Sequence, residues 1–221
     1  MGTVLTTTNI LNPIGDLGTM NVIGCGAIGS NLAVMLTKLG ASKIILWDFD
    51  TVEPHNVTNQ HYNQDHIGMS KVVALTKQLE KINSNCTIVA HDEAYTNQML
   101  SGYVFLCVDS IDVRKSIVET NKINRNIKAM FDFRLELQTA QHYATRWEGK
   151  DIQSFLDTMA FTHDEAKENV AVSPCGTSLS VLPTIQTVVS VGVSNFIKLA
   201  RNKEFCKILI VDTDNMNILT I

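Results

Sequence analysis

A short apolar stretch at residues 20–23 runs directly into Gly24-Cys25-Gly26-Ala27-Ile28-Gly29, and apolar residues then recur at helical spacing over 28–39 until Gly40. A second apolar stretch, 43–47, ends at Asp48. Few folds accept that order. Strand, glycine turn, helix and strand in succession predict a βαβ unit and hence a parallel sheet. Glycines let the backbone approach phosphate oxygens, and the helix that follows offers N–H groups without partners and a partial positive charge. Asp48, nineteen residues after Gly29, is placed for a ribose hydroxyl. Plainer roles are open to the same residues: glycine turns also serve tight strand–helix packing, and an aspartate often caps a turn.

The alternation continues. Residues 50–68 are polar and irregular, a helix is expected over 70–82, a strand over 87–90 and a short helix near 96–100. The continuous apolar run 103–108 reads as a strand buried on both faces, followed by a helix over 113–124 and a strand over 129–133. Beyond Leu135 the pattern changes to an exposed strand at 138–147, polar helices with little core at 151–168, a long apolar helix at 178–200 and a closing hairpin, 207–211 with 216–221. The expected class is therefore α/β: a Rossmann-like, mostly parallel sheet with helices on both faces, an antiparallel C-terminal extension and a long apolar helix. Residues 1–19 are read as an N-terminal arm. Residues 20–221 are read as one domain, a nucleotide-binding half over 20–135 and a crossover region with closing strands over 136–221.

Composition narrows the function classes. A net charge of −4 argues against a nucleic-acid partner, which selects for a basic surface. Five cysteines, at 25, 86, 107, 175 and 206, are odd in number and form no C-x-x-C pair. That excludes a four-cysteine zinc site and fits a reducing cytoplasm better than a disulfide framework. The first residues lack the basic and apolar regions of a signal peptide, and no apolar run approaches a membrane span.

Four pieces together, GCGAIG, DFDTVEPHNVTNQ, IGMSK and CVDSIDVR, resemble the ThiF/MoeB/HesA superfamily, which shares its adenylation fold with the ubiquitin-activating enzymes. The likeness is clear from residue 20 to about 118, weaker from 175 onward, and nearest to compact, zinc-free members of phage or mobile-element type. It implies a site for ATP and Mg²⁺, without structural zinc, that adenylates the C-terminal carboxylate of a small ubiquitin-like protein or peptide, in a homo- or heterodimer. By resemblance, Gly24, Gly26, Ala27, Gly29, Asp48, Asp50, Asn56 and Lys71 hold the nucleotide. Asp48 would take the ribose, Asn56 the phosphate region and Lys71 the phosphates, and Asp109 would ligate Mg²⁺. Chemistry agrees with these roles, because a carboxylate attacking an α-phosphate brings two anions together and needs cations and donors aimed at the developing charge. Each residue also has an ordinary alternative. Asn56 could satisfy its own loop backbone, Lys71 could be solvated, and an Asp-Ser pair after a strand is often a helix N-cap.

The chain departs from the family pattern at one telling position. Where the family reads Asn-Leu-x-Arg-Gln, this chain has Asn56-Val57-Thr58-Asn59-Gln60, so a phosphate-contacting guanidinium is replaced by Asn59. The first basic residue is Lys38, so an N-terminal arginine from a partner copy is absent as well. Arg134 and Arg114 are the available substitutes, and Arg134 could instead pair with Asp132 or Glu136. Cys175, ahead of the long helix, is the candidate thiol for acyl or sulfur transfer, or a small buried hydrophobe. An alternative reading is a non-catalytic nucleotide-binding or partner subunit, and a third is an NAD-dependent oxidoreductase, for which no hydride-transfer constellation accompanies the turn.

Overall fold

In a computed structural model, which describes residues 17–161 and 181–221, eight strands form one sheet in the order β3-β2-β1-β4-β5-β6-β7-β8. β1 (Thr19–Ile23), β2 (Lys43–Asp48), β3 (Thr87–Asp92), β4 (Gly102–Leu106) and β5 (Ile127–Leu135) run parallel. β6 (Thr139–Arg146), β7 (Ile208–Asp212) and β8 (Asn217–Thr220) extend the sheet antiparallel. The order reverses between β1 and β4, which opens a crevice at their carboxyl ends where sheets of this class receive ligands.

Helices cover both faces. α1 (Ala27–Lys38), α2 (Lys71–Ile82) and α5 (Leu182–Ala200) pack on one side, and α3 (Ile111–Asn121) and α4 (Gly149–Asp157) on the other. α1 ends where Gly40 takes a φ of +89°, with the Gly40 N–H on the Thr37 carbonyl and the Ala41 N–H on the Leu36 carbonyl, both at 3.1 Å. This paired closure needs a left-handed residue, and glycine adopts it without strain. Under α5, Phe196 sits edge-on to Phe105 and Phe131 at 5.5 and 5.6 Å between ring centroids. That aromatic cluster seals the C-terminal helix onto the parallel part of the sheet.

Three expectations change. Residues 96–100 form no helix: the Thr96 N–H turns onto the Gln98 side chain at 3.0 Å, and the Tyr95 hydroxyl donates to the Gln98 carbonyl. Local side-chain bonds compete with helix formation there, while buried Leu100 pins the segment. The strand expected to be exposed, β6, is interior, paired with both β5 and β7 and with alternate residues buried. The segment expected to have little core buries Ile152, Phe155, Leu156 and Met159 on the second face of the sheet; its part beyond residue 161 lies outside the described residues. α5 occupies the described part of the long apolar stretch.

β6 also carries His142, fully buried beneath α5, with Nε2 3.3 Å from the Asn195 side-chain amide nitrogen. Burial pushes its pKa down to about 3 from the ordinary 6.5, so the folded protein holds the ring neutral. The unfolded chain binds the proton between those two values, so this residue's contribution to stability is complete above about pH 6.5. It falls as pH drops toward 3, by about 1.4 kcal/mol per unit within that window. Urea unfolding at pH 7 and pH 4.5 should therefore show a larger loss for the wild type than for His142→Gln.

Candidate functional site

α1 starts without help from side chains. Its N-cap is Gly26, no side chain caps it and no acidic residue lies in its first turn. The first intrahelical bond runs from the Ser30 N–H to the Gly26 carbonyl at 3.0 Å. The preceding N–H groups have no acceptor inside the helix, which leaves an anion site at the crevice.

The three glycines of the turn do different work. Gly24 has a φ of +92°, and a Cβ on it would stand 2.8 Å from the Cys107 carbonyl carbon and the Val108 nitrogen. The turn thus lies against the segment that leaves β4. A Cβ on Gly29 would collide with the Gly24 carbonyl oxygen, so this glycine closes the strand–helix packing. Gly26 is the contrast: a Cβ there meets nothing within 4 Å, so it faces open space where a ligand can approach.

Asp48, 8% exposed at the end of β2, reaches across to the turn. Its Oδ2 accepts the Cys25 N–H at 2.6 Å and its Oδ1 accepts the Asp50 N–H at 2.8 Å. Burial raises the pKa of this carboxyl, while the two backbone donors and nearby Lys71 pull it back. Each oxygen retains a second lone pair for a ligand hydroxyl. Asp48 therefore ties the turn to β2 and still has acceptor capacity facing the crevice.

The other candidates gather at the same edge. The Lys71 ammonium, at the start of α2, is nearly buried and pairs with Asp50 at 2.8 Å; Asp50 itself is half exposed. Asn56 is buried and its Oδ1 accepts the Glu53 N–H at 2.8 Å, which shapes the 3-10 turn Pro54–Thr58. Asp109 is exposed just beyond β4. Its neighbour Ser110 caps α3 by accepting the Val113 N–H at 3.3 Å, so capping does not occupy the Asp109 carboxylate. Among the described residues no three histidine, cysteine or acidic side chains cluster to hold a metal. A lone hard carboxylate nevertheless suits Mg²⁺, which keeps most of its waters.

The two arginines are engaged elsewhere. The Arg114 guanidinium donates to the Leu106 carbonyl at 3.2 Å, to the Val108 carbonyl and to Asp132. Arg134 donates to Asp132 at 2.7 Å and to the Thr158 carbonyl and hydroxyl at 2.7 and 2.8 Å. Its guanidinium also lies 4.2 Å from the Tyr143 ring centroid. Asp132, with no exposed surface, is shared by both. Cys25 and Cys107 lie in the wall of the crevice, and burial holds both thiols protonated. Cys175 lies outside the described residues.

One contributor was not visible in the sequence reading. The Tyr62 hydroxyl donates to the Cys25 carbonyl at 2.7 Å. Only its place in an otherwise polar loop hinted that it turns inward.

The family model described as the ThiF family matches residues 16–207. Ubiquitin-like modifier-activating enzyme 5 of Culex quinquefasciatus is 35% identical over 114 residues, which is 43% of this chain and 29% of that protein. Among solved structures, selenomethionine PaaA gives a TM-score of 0.72 at 16% identity over 92% of this chain and 63% of its own. E. coli MccB with ATP gives 0.70 at 18% identity over 92% of this chain and 63% of its own. The chain thus spans less than two thirds of each of these relatives, and the two solved structures speak to the fold alone.

The glycine geometry makes a paired prediction. Gly29→Ala should cost more than about 2 kcal/mol in chemical denaturation, as an unrelieved backbone clash does. Gly26→Ala should stay within about 1 kcal/mol of wild type, since its Cβ meets only open space.

Proposed function

The chain belongs to the ThiF family, and from that premise we propose that it binds Mg-ATP at the turn of residues 24–29 and adenylates a carboxylate. The observation that supports the reading is the uncapped start of α1 beside Asp48, which bonds the turn and, through Asp50, reaches Lys71; Asp109 follows β4, the other strand of the switch point. The α1 N–H groups with Gly26 and Ala27 would face the phosphates while Gly24 and Gly29 hold the turn in place, Asp48 would accept the ribose hydroxyl, and Asn56 would brace the loop beside them. Lys71 would exchange Asp50 for a phosphate oxygen, which would then balance the ammonium. Asp109 would hold the divalent cation, which supplies positive charge against the phosphates when bound. A substrate carboxylate oxygen would then bond to the α-phosphorus as pyrophosphate departs.

The C-terminus of a ubiquitin-like protein or a peptide is the substrate we favour, in keeping with the name of the Culex relative. Transfer to Cys175 and assembly as a homo- or heterodimer belong to the same proposal, a different subunit supplying the cation in the heterodimer. A second reading is favoured by one specific fact: Asn59 replaces the family arginine while Arg114 and Arg134 are already bonded within the fold. On that reading the chain binds nucleotide and serves a competent partner. The oxidoreductase alternative draws no support from the family membership. No helix among the described residues is long and apolar enough to cross a membrane; a cytoplasmic setting remains part of the proposal.

Asp109→Asn should lower Mg-ATP affinity by about tenfold or more, a loss in the range of one charged contact. Its unfolding midpoint should match wild type, because Asp109 is exposed. Unchanged calorimetric affinity in this variant would remove the metal assignment. ATP–pyrophosphate exchange with candidate peptides separates the readings: exchange supports adenylation, and nucleotide binding without exchange across a peptide panel supports the partner subunit.

A further inference from the structure

The segment around Asn59 is laced onto α1 by hydrogen bonds. The Asn31 side-chain amide donates to the Asn59 carbonyl at 3.2 Å, and the His61 N–H donates to the Ser30 hydroxyl at 2.9 Å. The Gln78 side chain, from α2, donates to the His61 carbonyl at 2.6 Å. The segment then delivers Tyr62, 3% exposed, beneath the glycine turn, where its hydroxyl donates to the Cys25 carbonyl at 2.7 Å and lies 3.4 Å from the Lys71 carbonyl. Cys25 is thus held from two sides, its N–H by Asp48 and its carbonyl by Tyr62.

Fixing both polar groups of one peptide position fixes the plane of the peptide that follows, between Cys25 and Gly26. That peptide leads into the uncapped start of α1. Gly26 has no Cβ to restrict it, so its conformation must be set from outside. The phenol is suited to the task, because burial raises its pKa and keeps the hydroxyl a donor across the working pH range.

Resting on the nucleotide reading above, we propose that Tyr62 is a positioning residue of this site: its hydroxyl, bonded to the Cys25 carbonyl, orients the glycine turn toward the phosphates. Preorganised donors need no rearrangement when the anion arrives, which is where such a residue contributes. The loop that no longer offers a guanidinium to the phosphates instead shapes the backbone that meets them.

The test is a titration of full-length wild type and Tyr62→Phe with adenosine, AMP and Mg-ATP, followed by calorimetry. A bond acting through the turn should weaken AMP and Mg-ATP by about threefold to tenfold, the net effect of one hydrogen bond, and leave adenosine unchanged. Equal weakening of all three ligands would mean a general loss of structure, and no weakening would mean no role; either overturns the proposal. Gln78→Ala, which removes the donor to the His61 carbonyl without touching the glycine turn, is read in the same way if Tyr62→Phe does not fold. Wild type that binds none of the three ligands overturns the nucleotide reading and this one with it, whereas wild-type binding with an indifferent Tyr62→Phe overturns this one alone.

Discussion

The bond from the Cys25 N–H to the Asp48 carboxylate organises the carboxyl edge of the parallel strands. β1 and β2 are parallel neighbours, so their carboxyl ends emerge side by side, and a charged acceptor on one can reach a backbone donor on the other. The second Asp48 oxygen holds the Asp50 N–H, and Asp50 in turn pairs with Lys71 at the start of α2. One buried carboxylate thereby links three elements: the glycine turn, the loop after β2 and the helix that carries the lysine. Under the proposed function the same carboxylate would also accept the ribose hydroxyl. Desolvation makes that arrangement costly unless the charge is well bonded, and two backbone donors at 2.6 and 2.8 Å supply the bonding.

A second buried charge group works at β4 and β5. Asp132 lies between Arg114 and Arg134, and Arg114 also binds the carbonyls of Leu106 and Val108. Those carbonyls belong to the backbone that approaches Gly24 and leads to Asp109. The Arg114 guanidinium therefore braces that backbone, and Arg134 is linked to it only through Asp132. Removing one partner from such a group leaves a buried charge uncompensated, which is far more damaging than losing a surface pair. Both arginines are thus already bonded within the fold.

Much of this was legible in the sequence, for physical reasons that differ by region. Parallel strands buried on both faces leave continuous apolar runs such as 103–106, and glycines at forced backbone positions leave a turn signature. The order β1, α1, β2 and the placement of Asp48 at the strand end follow from those signals, whereas Lys71 follows from the resemblance of IGMSK to the family. β6 was misjudged because its alternating pattern suits an exposed strand equally well; only its pairing with β7, far along the chain, buries it. The turn at 96–100 was misjudged because the Gln98 side chain captures backbone groups that a helix would use. The Arg134–Asp132 pair, two residues apart, is legible in the sequence. Tyr62 and the Arg114 contacts are not, because Tyr62 bonds a backbone carbonyl 37 residues away and Arg114 bonds backbone carbonyls and an aspartate 18 residues away, which no residue pattern reveals.

The central claim is that the turn at residues 24–29 meets nucleotide phosphates. It is tested most directly by following the backbone amide resonances of isotopically labelled protein during titration with Mg-ATP. The account expects saturable shifts at Gly26, Ala27 and Ile28 together with Asp48, and no comparable response to NADH. Silent amides in the turn under saturating ATP, or shifts there with NADH alone, would contradict it.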